Sequence, residues 1–153
     1  MRLIDILSEE RVTTRLSVSS KDEALRALSQ LFAERDPALD VNVVHEVLSE
    51  RERLASTGVG SSVAIPHGRI SAIDDLRAAM AISRDGIPFE AIDGAPVRII
   101  IGVLAPQHHT GDHLRVLARV SRLLRNSEVR EGLLGAEDAH AAYEVIARAD
   151  RQA

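Results

Sequence analysis

The nine residues VRIIIGVLA, from Val97 to Ala105, place the strongest constraint on the fold. Successive side chains of a strand point to opposite faces, so an apolar run this continuous needs cover on both sides. The segment reads as a central strand with helices above and below it. The rest of the chain supplies them. RVTTRLSV (11–18) alternates Val12, Thr14, Leu16 and Val18 on one face and reads as a strand. Ser20 follows as a helix N-cap with Glu23 three residues on, a capping box, and Ala24, Leu25, Leu28, Leu31 and Phe32 form the helical stripe. Asp40 caps a second helix that ends near Leu54.

LRAAMAIS (76–83) is another strand, with Leu76, Ala78, Met80 and Ile82 on one side. A helix containing Leu114, Leu117, Ser121 and Leu124 follows the central strand, and two shorter ones are expected near 127–134 and 137–149. The order is β-α-α-β-β-β-α-α-α, an α/β chain whose economical packing is a sheet between two layers of helices. With 153 residues, a single domain over 1–149 is expected, with residues 150–153 as a frayed tail.

Composition removes several function classes. The net charge of −4 and an aromatic content of 2% leave neither a basic face nor a stacking platform for nucleic acid. No apolar run approaches the roughly 18 residues of a membrane span, so no membrane insertion is expected. MRLIDILSEER carries acids early and no long apolar stretch, so it does not read as a signal peptide. Cysteine is absent, which fits a reducing cytoplasm and excludes a thiol nucleophile or zinc thiolate.

The chemistry concentrates in ASTGVGSSVAIPHGR, residues 55–69. Pro66 stiffens the backbone before His67. Gly58, Gly60 and Gly68 permit conformations that turn backbone N–H groups inward, as in an anion nest, and Ser56, Thr57, Ser61 and Ser62 add hydroxyls. Arg69 adds a cation. A second histidine group, His108, His109 and His113, follows the central strand, where open α/β sheets place ligands. His113 lies near a helix start, a position that attracts phosphate.

Familiar motifs fail here. GVGSSV lacks the Gly-Lys-Ser/Thr ending of a P-loop and the third glycine of a dinucleotide fingerprint, and no G-x-S-x-G elbow occurs. A metal-dependent hydrolase built on His108, His109 and His113 remains open, although Asp112 is the only carboxylate close by. His108 and His109 read more simply as solvated loop residues. By residue type alone, His67 reads equally well as a hydrogen-bonded structural histidine.

RERLASTGVGSSVAIPHGR resembles the phosphorylation-site signature of the fructose/mannitol/nitrogen-type enzyme IIA family of the bacterial phosphoenolpyruvate-dependent phosphotransferase system. PFEAIDGAPVRIIIGVLAP is similar to the family's second segment, and HLRVLARVSRLL to its histidine-led helix. The likeness runs from LIDILSEERV to about Ala149, and the nitrogen-regulatory branch fits best, as a lone IIA domain without a fused sugar-specific or membrane domain. The resemblance implies a three-layer α/β/α sandwich with a mixed sheet. It also implies that His67 accepts a phosphoryl group, with His113 and Arg51 supporting it; spacing alone does not show that the three meet. Ser56, Thr57, Gly58, Gly60 and Gly68 would form the phosphate-supporting loop.

No metal or cofactor is expected, because donor and acceptor are both imidazoles. The implied donor is a histidine-containing phosphocarrier protein. The implied output is control of regulatory targets, with potassium transport and sensor kinases as family precedents, or, in a sugar-type protein, transfer to a IIB domain. Val59, Val63 and Ile65, with no acid between Ala55 and Arg69, suggest an apolar surface around the acceptor.

Overall fold

The apolar run becomes the middle of a mixed sheet. In chain order the computed structural model, which describes residues 1–108 and 110–153, contains a 3-10 turn (Leu3–Asp5), β1 (Leu7–Thr13), α1 (Lys21–Ala33), α2 (Val41–Leu54), β2 (Gly58–Gly60), β3 (Val63–Ala64), β4 (His67–Arg69), β5 (Arg77–Ile87), β6 (Val97–Ala105), α3 (Thr110–Arg125), α4 (Ser127–Leu134) and α5 (Ala139–Gln152). On one side β6 pairs antiparallel with β5, Met80 lying opposite Ile101. On the other side β3 and β4 both run parallel to it. β1 lies parallel on the outer side of β5, and β2 closes a hairpin on β3.

The two faces of β6 enter two separate cores, as an apolar run covered on both sides requires. Ile99, Ile101 and Val103 pack with Met80, Ile82, Val116, Val120, Leu133 and Ile146, beneath α3, α4 and α5. Ile100 and Leu104 pack with Leu28, Phe32, Val44 and Leu48, beneath α1 and α2. Gly102 sits on this second face, where a Cβ would stand 2.6 Å from Leu28 Cδ2. Its missing side chain lets α1 lie close to the sheet. The caps are those the sequence implies: Ser20 accepts from the Glu23 N–H, and Asp40 accepts from the Asn42 and Val43 N–H groups.

Four boundaries depart from the sequence reading. The strand expected over 76–83 is Arg77–Ile87. The first strand is Leu7–Thr13 rather than 11–18. Its pairing with β5 is irregular between Leu7 and Val12, and the Arg11 guanidinium occupies the irregularity by donating to the Ile6 and Ala78 carbonyls. The glycine loop is not bare loop: it contains β2, β3 and β4, so five strands rather than three separate α2 from α3. The tail expected to fray from residue 150 instead continues α5 to Gln152.

Asp150 explains the last departure. It is fully buried, accepts from Arg119 Nε at 2.5 Å, and accepts from the Ile4 N–H at 2.8 Å. The chain end is thereby tied to its beginning. Removing one partner of such a buried pair leaves the other charge uncompensated. Asp150→Ala is expected to lower stability by about 3–5 kcal/mol, measured by urea unfolding against the wild type.

Candidate active site

Local backbone order carries His67 to the carboxyl-end region of β6. α2 ends at Leu54, and the Glu52 side chain in its last turn is buried at 7% exposure. That carboxylate accepts from the Thr57 N–H at 2.9 Å, from Thr57 Oγ1 at 2.5 Å and from Lys21 Nζ at 3.0 Å. The Thr57 carbonyl in turn accepts from the Ile65 N–H at 3.0 Å. After Pro66 the chain enters β4 with His67 opposite Val103.

The His67 Nδ1–H donates to the Ile65 carbonyl at 2.8 Å. A carbonyl oxygen can only accept, so this bond puts the proton on Nδ1. In the neutral ring the lone pair is then on Nε2. This carbonyl is the acceptor that the sequence does not reveal. It belongs to the Ile65–Pro66 amide, which has no N–H of its own.

His113, in the first turn of α3, meets this ring edge to face, with ring centroids 5.6 Å apart and planes at 73°. It is only 5% exposed, and its Nε2 is buried without a hydrogen-bond partner among the described residues. Burial, then the neighbouring His67 and Arg69, lower its pKa from 6.5 to about 4. His67 is also lowered, first by burial and further by Arg51, while the Ile65 carbonyl and Glu52 act in the opposite direction. Both rings are therefore neutral near pH 7.

Arg51 donates to the Ala55 carbonyl at 2.9 Å, closing the end of α2. Its charge reaches His67 from there. The structure thus brings His67 and His113 into ring contact, while Arg51 is bonded to the Ala55 carbonyl and its charge lowers the His67 pKa.

The small loop residues are used inside the fold. Ser56 Oγ donates to the Phe89 carbonyl and accepts from the Gly58 N–H. Both polar groups of Thr57 are held by Glu52. Gly58 is a packing glycine: a Cβ there would lie 2.7 Å from Ala91 Cβ. So is Gly68, where it would lie 2.4 Å from Val47 Cγ1. Only Gly60 needs its conformational freedom, at φ 96°, where it opens the β2–β3 turn. Gly58 and Gly68 thus let Ala91 and Val47 pack close to the loop backbone.

Glu52 and Lys21 are the participants that the sequence reading misses. Their signals are present: an acid in the last turn of a helix, where the macrodipole opposes it, and a lysine opening another. His108 is exposed, and His109 lies outside the described residues. Among the described residues, no group of three or more His, Cys, Asp or Glu side chains could hold a metal ion.

A family described as "Phosphoenolpyruvate-dependent sugar phosphotransferase system, EIIA 2" matches residues 5–149. The chain belongs to this family. A nitrogen regulatory protein of Bradyrhizobium diazoefficiens is 38% identical over 147 residues, covering 96% of this chain and 95% of that protein. The nitrogen regulatory protein IIA-Ntr of Neisseria meningitidis shares its fold with a TM-score of 0.86 and 33% identity, over 93% of this chain and 97% of that one. The IIA mannitol protein of Escherichia coli has the same fold at 21% identity and a TM-score of 0.75, over 91% of this chain and 97% of that one. The EIIA fold assigns the three layers and mixed sheet to a phosphotransferase-system component. No helix among the described residues is long and apolar enough to cross a membrane.

The depressed pKa of His113 has a measurable consequence. Between pH 6.5 and about 4 the unfolded chain binds a proton that the native His113 refuses. Its contribution to stability is therefore full above pH 6.5 and is lost as pH falls toward 4. Urea unfolding across this range is expected to show the wild type losing about 3 kcal/mol more than His113→Gln.

Proposed function

We propose that the protein is a phosphocarrier that accepts a phosphoryl group on His67 Nε2 from a phosphohistidine carrier and signals through its phosphorylation state. The observation that supports this most is the Nδ1–H bond to the Ile65 carbonyl, which leaves the lone pair on Nε2. In the transfer, the Nε2 lone pair forms a new N–P bond while the donor's N–P bond breaks. The donor ring, protonated on its other nitrogen, leaves with its electron pair as neutral imidazole, and its positive charge passes to the phosphorylated His67 ring. The His67 proton stays on Nδ1, hydrogen-bonded to the Ile65 carbonyl throughout, so no separate acid or base is needed.

The transferring group is anionic at every stage, so catalysis here is positioning and charge stabilisation. The buried Nε2 of His113 lacks a partner among the described residues, and a phosphoryl oxygen on His67 supplies one. Arg51 supplies positive charge. The first turn of α3, which carries His113, favours an anion nearby.

The partner surface differs from the one the sequence suggests. Val63 and Ile65 are buried in the core. Exposed apolar side chains on the elements of the site include Leu54 at 83%, Ile92 at 83%, Leu114 at 62% and Val59 at 47%. Leu54 ends α2, Leu114 follows His113, and the Ile92 N–H donates to the Gly58 carbonyl. A carrier that docks on these side chains can present its own histidine to His67.

A regulatory target that buries the same apolar rim would disfavour the phosphorylated form, because a dianionic group would be desolvated without a cation opposite it. The nitrogen-regulatory output, and action in the cytoplasm on regulatory proteins, are supported by the likeness to the two nitrogen regulatory proteins.

Incubation with phosphoenolpyruvate, the first enzyme of the system and the carrier, read by intact mass, tests the proposal. Wild type is expected to gain one phosphoryl group that is labile to acid and stable to base, and His67→Ala to gain none while keeping its fold. An acid-stable adduct, or uptake by the alanine variant, would refute it. His113→Ala and Arg51→Ala are expected to slow uptake by about 10²–10³-fold each, measured by quenched time courses. Wild-type rates in both variants would remove them from the site.

A further inference from the structure

A carboxylate in the last turn of a helix faces the negative end of the helix dipole. Burying it adds a desolvation cost. Glu52 has both disadvantages, in the final turn of α2 at 7% exposure. What compensates it is a set of bonds that leads to the active site. Lys21 Nζ donates to Oε2, the Thr57 N–H donates to Oε2, and the Thr57 hydroxyl donates to Oε1.

Thr57 passes the constraint on. Its carbonyl receives the Ile65 N–H at 3.0 Å, and the Ile65 carbonyl receives the His67 Nδ1–H at 2.8 Å. Lys21 is itself fixed, with Nζ 5.1 Å from the centre of the Phe89 ring, and the Phe89 carbonyl accepts from Ser56. The start of α1 therefore meets the end of α2 on one carboxylate, and the loop after β5 reaches it only through Lys21 and Ser56.

We propose that Glu52 is a positioning residue for phosphoryl acceptance, holding His67 in its Nδ1–H tautomer through Thr57 and Ile65. The proposal rests on the reading of His67 as the acceptor. Without the Glu52 carboxylate, Thr57 is released, the Ile65 segment shifts, and the Ile65 carbonyl no longer sits where Nδ1–H can reach it. The ring then populates the Nε2–H form, whose reactive nitrogen carries a proton instead of a lone pair. Lys21 is the counter-cation that makes the buried carboxylate tolerable. This is the logic by which outer hydrogen bonds fix the tautomer of a functional imidazole.

Glu52→Gln keeps the size of the side chain but replaces one acceptor oxygen with an N–H donor. The only group here that can accept from that donor is the Thr57 hydroxyl, which must then reverse its bond, and the negative charge facing Lys21 is lost. Ring-nitrogen NMR of the unphosphorylated protein near neutral pH reads the tautomer, and quenched uptake from the phosphorylated carrier reads the rate. The expected result is a wild type almost wholly in the Nδ1–H form. Glu52→Gln should hold a measurable Nε2–H population and take up phosphate about 10–100-fold more slowly. A folded Glu52→Gln with the wild-type tautomer and rate would overturn the proposal.

If that variant fails to fold, Thr57→Val removes the hydroxyl bond alone and is measured in the same two ways. A raised Nε2–H population with slower uptake supports the proposal, and the wild-type tautomer and rate overturn it. The ring spectrum does not depend on phosphate. A wild type that takes no phosphate on His67 would therefore refute the functional reading, while the variant's tautomer would still decide the role of Glu52.

Discussion

Everything in this molecule is arranged around a strand that must be covered on both faces. β6 sends Ile99, Ile101 and Val103 into one core and Ile100 and Leu104 into the other. Neither set of helices can be removed without exposing half of it. The same strand carries β3 and β4 on one side, and so fixes where the chain crosses from Ala64 to His67. His67 is therefore placed by a strand that is buried along nearly its whole length. α3, which packs over the first of these cores, brings His113 to it.

Two imidazoles in contact oppose each other's protonation. Burial keeps His113 neutral, and the Ile65 carbonyl settles which nitrogen of His67 carries the proton. A ring with its lone pair on Nε2, beside a buried nitrogen that has no partner among the described residues, suits an incoming anion with oxygens to offer. The chemistry then needs little more than position. This explains why so many of the loop's polar groups are engaged with the protein itself: Thr57 with Glu52, and Ser56 with Phe89 and Gly58.

Much of this is legible in the sequence. The run from Val97 to Ala105 implies a doubly covered strand, and the capping residues Ser20 and Asp40 locate two helices, because both signals are local. His67 and His113 can be named from motif resemblance. What escapes depends on contacts distant in sequence. The tail is helical because Asp150 meets Arg119 and the Ile4 N–H, partners that no local pattern shows. The close packing of Ala91 on Gly58 and of Val47 on Gly68 is likewise invisible in the local pattern. Glu52 is paired with Lys21, 31 residues away, and reads as an ordinary surface acid in a helix.

The most direct test is to identify the phosphorylated nitrogen. Ring-nitrogen and phosphorus NMR of the protein, phosphorylated by the carrier, resolves which atom of which histidine carries the group. The expected result is a phosphoryl group on His67 Nε2, with the proton retained on Nδ1. A phosphoryl group on Nδ1, or on any other residue, would contradict the claim that the Ile65 carbonyl prepares His67 for transfer.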